Sequence, residues 1–409
     1  MIIPSIDLMD NKAVQLRQGK EKVLEREDVL ELAKYYARFG EIAVIDLDAA
    51  MNTGKDNEEL IAKICKIAPC RVGGGIRDKK KAKKMLALGA KKIIIGTAAN
   101  EEFLSQLPKD KVLVAIDSKG GNITLEGWQK DTDIKTEEFV KRFENYCSGF
   151  LYTIVEKEGM LGGTCLESFR KIRKITKKPI VAAGGITSID EIVELEKMNI
   201  SSQLGMSIYT GKIDLVDAFV SLIDFEKCGG LVPTVVQDVK TRQVLMLAYS
   251  NKDSLEKSLR EGCATYFSRS RNELWTKGAT SGNTQELLQT RFDCDGDTIL
   301  FKVNQNGNAC HLDRFTCFED RDFCINELYD LILDRKEKLP KGSYTTKLFN
   351  NEFYLKRKIM EEAFESVNPE FGDGLSWEAA DLMYHLLVFM ASKGVTFDDV
   401  INNLSSRTK

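Results

Sequence analysis

Gly74-Gly75-Ile76-Arg77 returns 110 residues later as Gly184-Gly185-Ile186-Thr187. Ile6-Asp7-Leu8 returns at the same offset as Ile116-Asp117-Ser118, and Gly96-Thr97 returns at 109 as Gly205-Met206. Three nearly equal offsets are the signature of two half-domains with one ancestor. Working outward, residues 1–224 alternate short β-branched runs with amphipathic stretches. Strands are expected at 2–7, 43–48, 70–75, 92–97, 112–117, 150–155, 179–184 and 202–206, with helical stretches such as 28–39, 57–67 and 79–88 between them. Eight β-then-α units over this length predict a (β/α)₈ TIM barrel.

The repeat has a chemical consequence. Asp7 ends the first strand and Asp117 the fifth, opposite each other at the C-terminal face, where barrel active sites sit. Gly75 with Arg77, Gly96 with Thr97, Gly184 with Gly185, and Gly205 with Met206 follow the third, fourth, seventh and eighth strands. Glycine there lets backbone N–H groups approach a phosphate closely. One such site per half implies a substrate phosphorylated at both ends, with its reacting atoms between two carboxylates suited to acid–base work.

Ile3-Pro4-Ser5-Ile6-Asp7-Leu8, Val44-Ile45-Asp46-Leu47-Asp48, Gly73-Gly74-Gly75-Ile76-Arg77, Ile95-Gly96-Thr97-Ala98, Glu126-Gly127-Trp128 and Gly205-Met206-Ser207-Ile208-Tyr209 resemble the phosphoribosylformimino-aminoimidazole carboxamide ribotide isomerase family. The likeness covers the whole barrel. It implies an Amadori rearrangement of an aminoaldose to an aminoketose, with catalytic roles for Asp7, Asp117 and Thr153. The chain departs from the family at Gln15, where arginine is usual, and at Lys20-Glu21-Lys22-Val23, which lacks the usual Asp-Tyr. Ile154 stands in for an acid, and Lys157-Glu158-Gly159 for Arg-Asp-Gly. A barrel kept only for binding or assembly is the alternative.

A net charge of −3 over 409 residues excludes a large basic field, so neither nucleic acid nor an anionic membrane is an expected partner. The lysine clusters at 79–84 and 171–178 are interrupted by apolar residues, as on solvated helix faces. Met1–Asp7 has no signal-peptide character and no segment approaches a membrane span, so a cytoplasmic location is expected. The ten cysteines are then expected to be reduced, and some of them available to a metal.

Composition shifts at Phe225-Glu226-Lys227-Cys228-Gly229-Gly230, a polar linker, and an α+β metal-binding domain is expected over 230–320. Residues 235–238 and 244–249 read as paired strands, 252–261 as a helix and 264–268 as a strand. Asp293-Cys294-Asp295-Gly296-Asp297, read as a strand, points three aspartates one way and the cysteine the other. Three carboxylates on one face call for Mg²⁺ or, equally, make a solvated acidic loop. Cys310-His311 and Cys317 are spaced to complete a three-thiolate zinc site with an open position, or to be buried structural thiols.

Ser268-Arg269-Ser270-Arg271, Leu274-Trp275-Thr276-Lys277-Gly278, Thr280-Ser281-Gly282-Asn283 and the Asp293–Asp297 run closely resemble phosphoribosyl-AMP cyclohydrolase over about 232–318. The resemblance implies zinc on Cys294, Cys310 and Cys317, contributed by two subunits of a homodimer, and magnesium on Asp293, Asp295 and Asp297. His311 is then the proton shuttle, and Arg269, Arg271, Lys277 and Ser281 contact substrate or its phosphate.

From Asn326 the period becomes helical, and an all-α domain is expected over 326–409, with helices at 328–337, 355–367, 376–391 and 396–404 and a capped turn at Pro340–Ser343. Glu361, Glu362 and Glu365 cluster on one helix, and Glu378 and Asp381 share a face of the next. Apolar Ala379, Ala380, Leu382 and Met383 around the second pair favour a shared magnesium site over a solvated face. Together with Gly342-Ser343-Tyr344-Thr345-Thr346-Lys347-Leu348 and Asp381-Leu382-Met383-Tyr384-His385-Leu386-Leu387, these acids resemble phosphoribosyl-ATP pyrophosphohydrolase. Met360 replaces a usual glycine. Lys347, Arg357 and Lys358 are candidate phosphate contacts, and His385 reads as packed. The three resemblances describe a histidine-biosynthesis fusion that takes small phosphoribosyl nucleotides. It would be trifunctional, or bifunctional with a non-catalytic barrel.

Overall fold

A computed structural model describes residues 1–409 except Lys20, Glu126, Gln129, Pro369, Phe371, Ser406, Thr408 and Lys409. Two of these, Lys20 and Glu126, belong to stretches read above and lie outside the described residues. The chain divides into two compact units, one of residues 1–239 with 244–320, the other of 321–405 with 240–243.

Eight parallel strands, β1 (Ile2–Met9), β2 (Ile42–Asp46), β3 (Cys70–Gly73), β4 (Lys92–Ile95), β5 (Val112–Lys119), β6 (Gly149–Ile154), β7 (Ile180–Ala183) and β8 (Ile200–Leu204), pair in succession. β8 closes on β1 through Ile2 opposite Ser202, so the barrel is complete. Inward-pointing residues alternate along each strand, and Ile3, Ala43, Ile94, Leu113, Leu151, Val181 and Ala183 fill the interior below the mouth. The outward residues pack under the helices in a second, larger apolar layer. Accessory hairpin strands Lys12–Arg17 with Glu21–Arg26, and Asn122–Leu125 with Lys130–Lys135, rise after β1 and β5, so the internal repeat extends to its loops.

Six of the eight strands end earlier than their residues suggest. β2 stops at Asp46, whose carboxylate accepts from Ala49 N–H and caps the short helix Leu47–Met51. β3 and β7 stop before Gly74 and Gly184, at φ +96° and +92°. A Cβ on Gly74 would lie 2.1 Å from Asp46 O, and one on Gly184 2.6 Å from Ile154 O. Only glycine fits either turn, so the repeat is conformational as well as textual.

The first unit continues into β9 (Val232–Asp238), β10 (Val244–Ser250), β11 (Thr265–Ser268), β12 (Glu273–Thr276), β13 (Gln285–Phe292) and β14 (Ile299–Gln305). β10, β9, β14 and β13 form one sheet in that order, and β11 and β12 a separate hairpin. The helix Lys252–Glu261 carries an Asn251–Ser254 capping box and stops at Gly262, left-handed at φ +74°.

This sheet docks on the underside of the barrel, at the N-terminal ends of its strands. Thr290 N–H donates to Arg38 O at 2.7 Å and Gln289 Nε2 to Gly40 O at 3.1 Å. Arg38 Nη1 donates to Leu259 O and Arg260 O, each at 3.0 Å. Arg260 pairs with Asp214 and Asp217, and Phe219 meets Phe292 edge-on at 5.5 Å.

The second unit is built from helices Ile325–Lys338, Tyr344–Asn350, Glu352–Val367, Leu375–Ser392 and Phe397–Ser405. Its core is Tyr329, Ile332, Leu348, Leu355, Leu387, Val388 and Ala391. The Tyr344–Asn350 helix was unread in the sequence. Ser343 Oγ accepts from Thr346 N–H and starts it inside what the residues present as a turn. Among the described residues, no helix is long and apolar enough to cross a membrane.

Candidate functional sites

The barrel mouth encloses a cavity of about 800 Å³, lined by Asp7, Asp117, Thr153 and Glu158 together with both sets of repeated glycines. Gly75, Arg77, Gly96 and Thr97 lie in one half, and Gly184, Gly185, Gly205 and Met206 in the other. Asp7 accepts from Ser5 Oγ at 2.9 Å. Burial outweighs that bond and pushes its carboxyl up to about 6. Asp117 stands opposite Thr153 in the β5–β6 register. Burial raises it too, against hydrogen bonds from Trp128 and Thr153.

Sequence reasoning named Glu158 only as a departure. In the cavity it is a third carboxylate, pushed up to about 7 by burial and then by the charges of Asp7 and Asp117. The signal was its place in a motif, but only the loop's inward fold shows its target. Ile154, by contrast, is buried in the outer layer and does not line the cavity. Gln15 is 3% exposed and faces Gly205, with no hydrogen-bond partner for its Nε2. Arg77 gives donors to Ala49 O, Ala50 O and Asn52 Oδ1, so it braces the C-terminal end of the short helix after β2.

The Asp293–Asp297 run is not a strand. It is the turn between β13 and β14, with Gly296 left-handed at φ +74°. Asp293 Oδ1 accepts from the N–H groups of Asp297 and Thr298. The aspartates converge because the chain curls, not because side chains alternate. Asp293, Asp295 and Asp297 each place a carboxylate oxygen within 4.8 Å of the others. A cation already sits on two of them: Lys227 Nζ is 2.5 Å from Asp295 Oδ2 and also pairs with Asp297.

Cys310 and Cys317 share a hydrogen bond. The Leu312 N–H on its sulfur pulls the Cys310 thiol down, while burial pushes Cys317 up. Cys294 stays apart in the acidic turn, and among the described residues no three-ligand group contains a cysteine. One chain therefore brings two of the three thiols together. His311 is exposed beside Cys310. Lys277 is 9% exposed and donates to Ala309 O at 2.7 Å, near Cys310 and Cys317 rather than out toward solvent. Arg269 lies over the Tyr249 ring at 3.7 Å. Arg271 contacts Ser268 Oγ and Glu273, and Ser281 Oγ accepts from Asn283 N–H.

In the second unit Glu361, Glu362 and Glu365 form one acidic group, and Glu362, Glu378 and Asp381 another, so Glu362 belongs to both. Glu362 and Glu378 are 3% and 4% exposed. Burial raises Glu362 despite Lys358, whose Nζ lies 2.5 Å from its Oε1 and 2.8 Å from Glu361 Oε1. Glu378 Oε1 accepts from Asp373 N–H at 2.5 Å. His385 is packed, with Nε2 2.9 Å from Tyr344 OH. Lys347 Nζ and the Arg357 guanidinium both lie over the Tyr354 ring.

Carboxylates on a barrel mouth, a thiol pair beside an acidic turn, and acids shared between two helices together define a multi-site enzyme. Two of its sites gather three or more carboxylates within 4.8 Å of one another. The chain matches the family model described as histidine biosynthesis protein over residues 1–214. It matches those for phosphoribosyl-AMP cyclohydrolase over 246–319 and phosphoribosyl-ATP pyrophosphohydrolase over 325–408. It is 39% identical over 193 residues to the histidine biosynthesis bifunctional protein HisIE of Bacteroides thetaiotaomicron, which covers 45% of this chain and 95% of that protein. The protein of the same name from Bacillus subtilis is 42% identical over 191 residues, 44% and 91% of the two chains. That of Vibrio vulnificus is 41% identical over 204, 47% and 97%. The chain belongs to the histidine biosynthesis protein family, as a fusion of an isomerase-type barrel with cyclohydrolase and pyrophosphohydrolase domains.

Proposed function

We propose that this chain carries out three consecutive steps of histidine biosynthesis. The helical unit releases pyrophosphate from phosphoribosyl-ATP, the cyclohydrolase opens the adenine ring of phosphoribosyl-AMP, and the barrel isomerises the product. The observation that carries the isomerase reading is the barrel cavity, where Asp7 and Asp117 stand between two glycine cradles. Each cradle holds one phosphate of a doubly phosphorylated substrate, which places the sugar between the carboxylates. Burial raises the proton affinity of both carboxyls, the direction that acid–base exchange at adjacent carbons calls for. Thr153 orients Asp117 by hydrogen bond.

The donor sets fit the two metals. Soft thiols suit zinc, and the hard oxygens of both acid groups already attract ammonium groups, Lys227 on one and Lys358 on the other. Zinc held by Cys310, Cys317 and the Cys294 of a second copy would supply a water acidic near neutrality. His311, beside Cys310, moves the proton during ring opening. Arg269, Arg271, Lys277 and Ser281 bind and orient the nucleotide. Magnesium on Glu361, Glu362, Glu365, Glu378 and Asp381 would screen the polyphosphate charge and hold its oxygens, and magnesium on Asp293, Asp295 and Asp297 would serve the cyclohydrolase. Lys347 and Lys358 contact the phosphates as Lys358 exchanges its carboxylates for them. The separation of Cys294 from Cys310 and Cys317 supports a homodimer.

Asp7→Asn and Asp117→Asn test the barrel. Each should abolish aminoketose formation and leave pyrophosphate release and ring opening at wild-type rates. Aminoketose formation at the wild-type rate by either variant would remove the barrel's catalytic assignment.

A further inference from the structure

The acidic turn of the cyclohydrolase is held by residues that lie outside all three family matches. Residues 215–245 fall between the barrel and cyclohydrolase matches, and the segment Leu222–Cys228 wraps the Asp293–Asp297 turn. Asp224 N–H donates to Gly296 O at 2.8 Å, and a Cβ on Gly296 would lie 2.9 Å from Leu222 O. Cys228 Sγ reaches Asp297 O at 3.5 Å. Lys227 N–H is fixed by Asp224 Oδ1 at 2.9 Å, which aims its side chain across the turn to Asp295 and Asp297. A single ammonium thus lies on two carboxylates of a three-carboxylate group, the place a divalent ion would take.

We propose that Lys227 is a tethered competitor for the divalent cation at this turn, seated on Asp295 and Asp297 when the metal is absent and displaced when it binds. The inference rests on the reading of the three aspartates as a magnesium site. Two like charges cannot share the same carboxylate oxygens at contact distance, so binding requires the lysine to swing out. Its side chain is 46% exposed, so solvent is open to it. The linker's grip on Gly296 stays in place, because it is made by backbone groups. Lys227 therefore sets how much free cation the cyclohydrolase needs, through a residue that the barrel's exit segment supplies.

The test is Mn²⁺ binding, as a paramagnetic probe of the Mg²⁺ site, to the full chain loaded with zinc. Every arm carries Glu362→Gln and Glu378→Gln to silence the helical acids. Lys227→Ala should bind Mn²⁺ at least threefold more tightly than the Lys227 protein, Lys227→Arg should match it, and Asp297→Asn should bind more weakly. Mn²⁺ should also raise the melting temperature of Lys227→Ala by more than that of the Lys227 protein, because the variant loses an ion pair only in the metal-free state. Equal affinities with and without Lys227, alongside weakened Asp297→Asn, would overturn the competition while leaving the site intact. Affinity indifferent to Asp297→Asn would overturn the site and the competition with it.

Discussion

Arg291 Nη2 lies 3.9 Å from Glu41 Oε1, so an arginine of the cyclohydrolase sheet reaches the carboxylate that also pairs with Arg71 under the barrel. Arg71 is 7% exposed, and the two guanidiniums share one counter-charge. Glu41→Gln leaves both without it and should cost about 2 kcal/mol, less than for a fully buried pair because Glu41 keeps some exposure. Denaturant unfolding should show the barrel and cyclohydrolase signals weakened together. A loss confined to one of them would mean that the seam carries no shared stability.

The barrel carboxylates give a pH prediction. Asp7 is raised from an ordinary 3.8 to about 6, so its folded form binds protons more tightly than its unfolded form. Its contribution to stability is whole below about pH 4 and is lost as pH climbs through about 6. Asp7→Asn should therefore stabilise the chain at pH 8 by about 1–3 kcal/mol and leave it unchanged at pH 3.5. Melting curves at the two pH values check this, and destabilisation at pH 8 would contradict it.

Isomerisation should follow the same group. As pH falls through about 6 Asp7 gains its proton, and the pair loses the base it needs. The expected kcat/KM declines about tenfold per pH unit below that point. A rate unchanged down to pH 5 would remove Asp7 from the proton exchange.

The two-copy zinc reading is testable by mixing. Cys294→Ala and Cys310→Ala should each abolish ring opening and lose zinc while pyrophosphate release continues. Mixed and re-associated, half the dimers become hybrids with one intact site, restoring roughly a quarter of the wild-type ring-opening rate. No recovery from verified hybrids would mean that each site is built within one chain.

Glu362 is common to both acidic groups of the helical unit. Glu362→Gln should lower pyrophosphate release by about 100-fold or more without slowing ring opening of supplied phosphoribosyl-AMP. Assaying the two reactions separately checks it, and an effect on both would point to global damage.

The barrel was legible because its two halves repeat in phase, and Gly74 and Gly184 meet the same backbone obstacle. Strand ends were less legible, since Leu47 and Asp48 read as strand until the Asp46 carboxylate is seen capping a helix there. The Asp293–Asp297 cluster was legible as a cluster but not as a turn, because alternation in sequence mimics a strand and Gly296's left-handed φ is invisible there. Glu158 and Lys227 were missed as functional residues for one reason. Each acts across a loop on residues far away in the chain, Glu158 on Asp7 and Asp117, Lys227 on Asp295 and Asp297. No local spacing encodes such a meeting.

The most direct measurement supplies the purified chain, with Zn²⁺ and Mg²⁺, with phosphoribosyl-ATP alone and follows the products by chromatography. The expected result is pyrophosphate, then the ring-opened nucleotide, then the aminoketose, all from one protein. Accumulation of the ring-opened nucleotide with no aminoketose would contradict it and leave the barrel without its reaction.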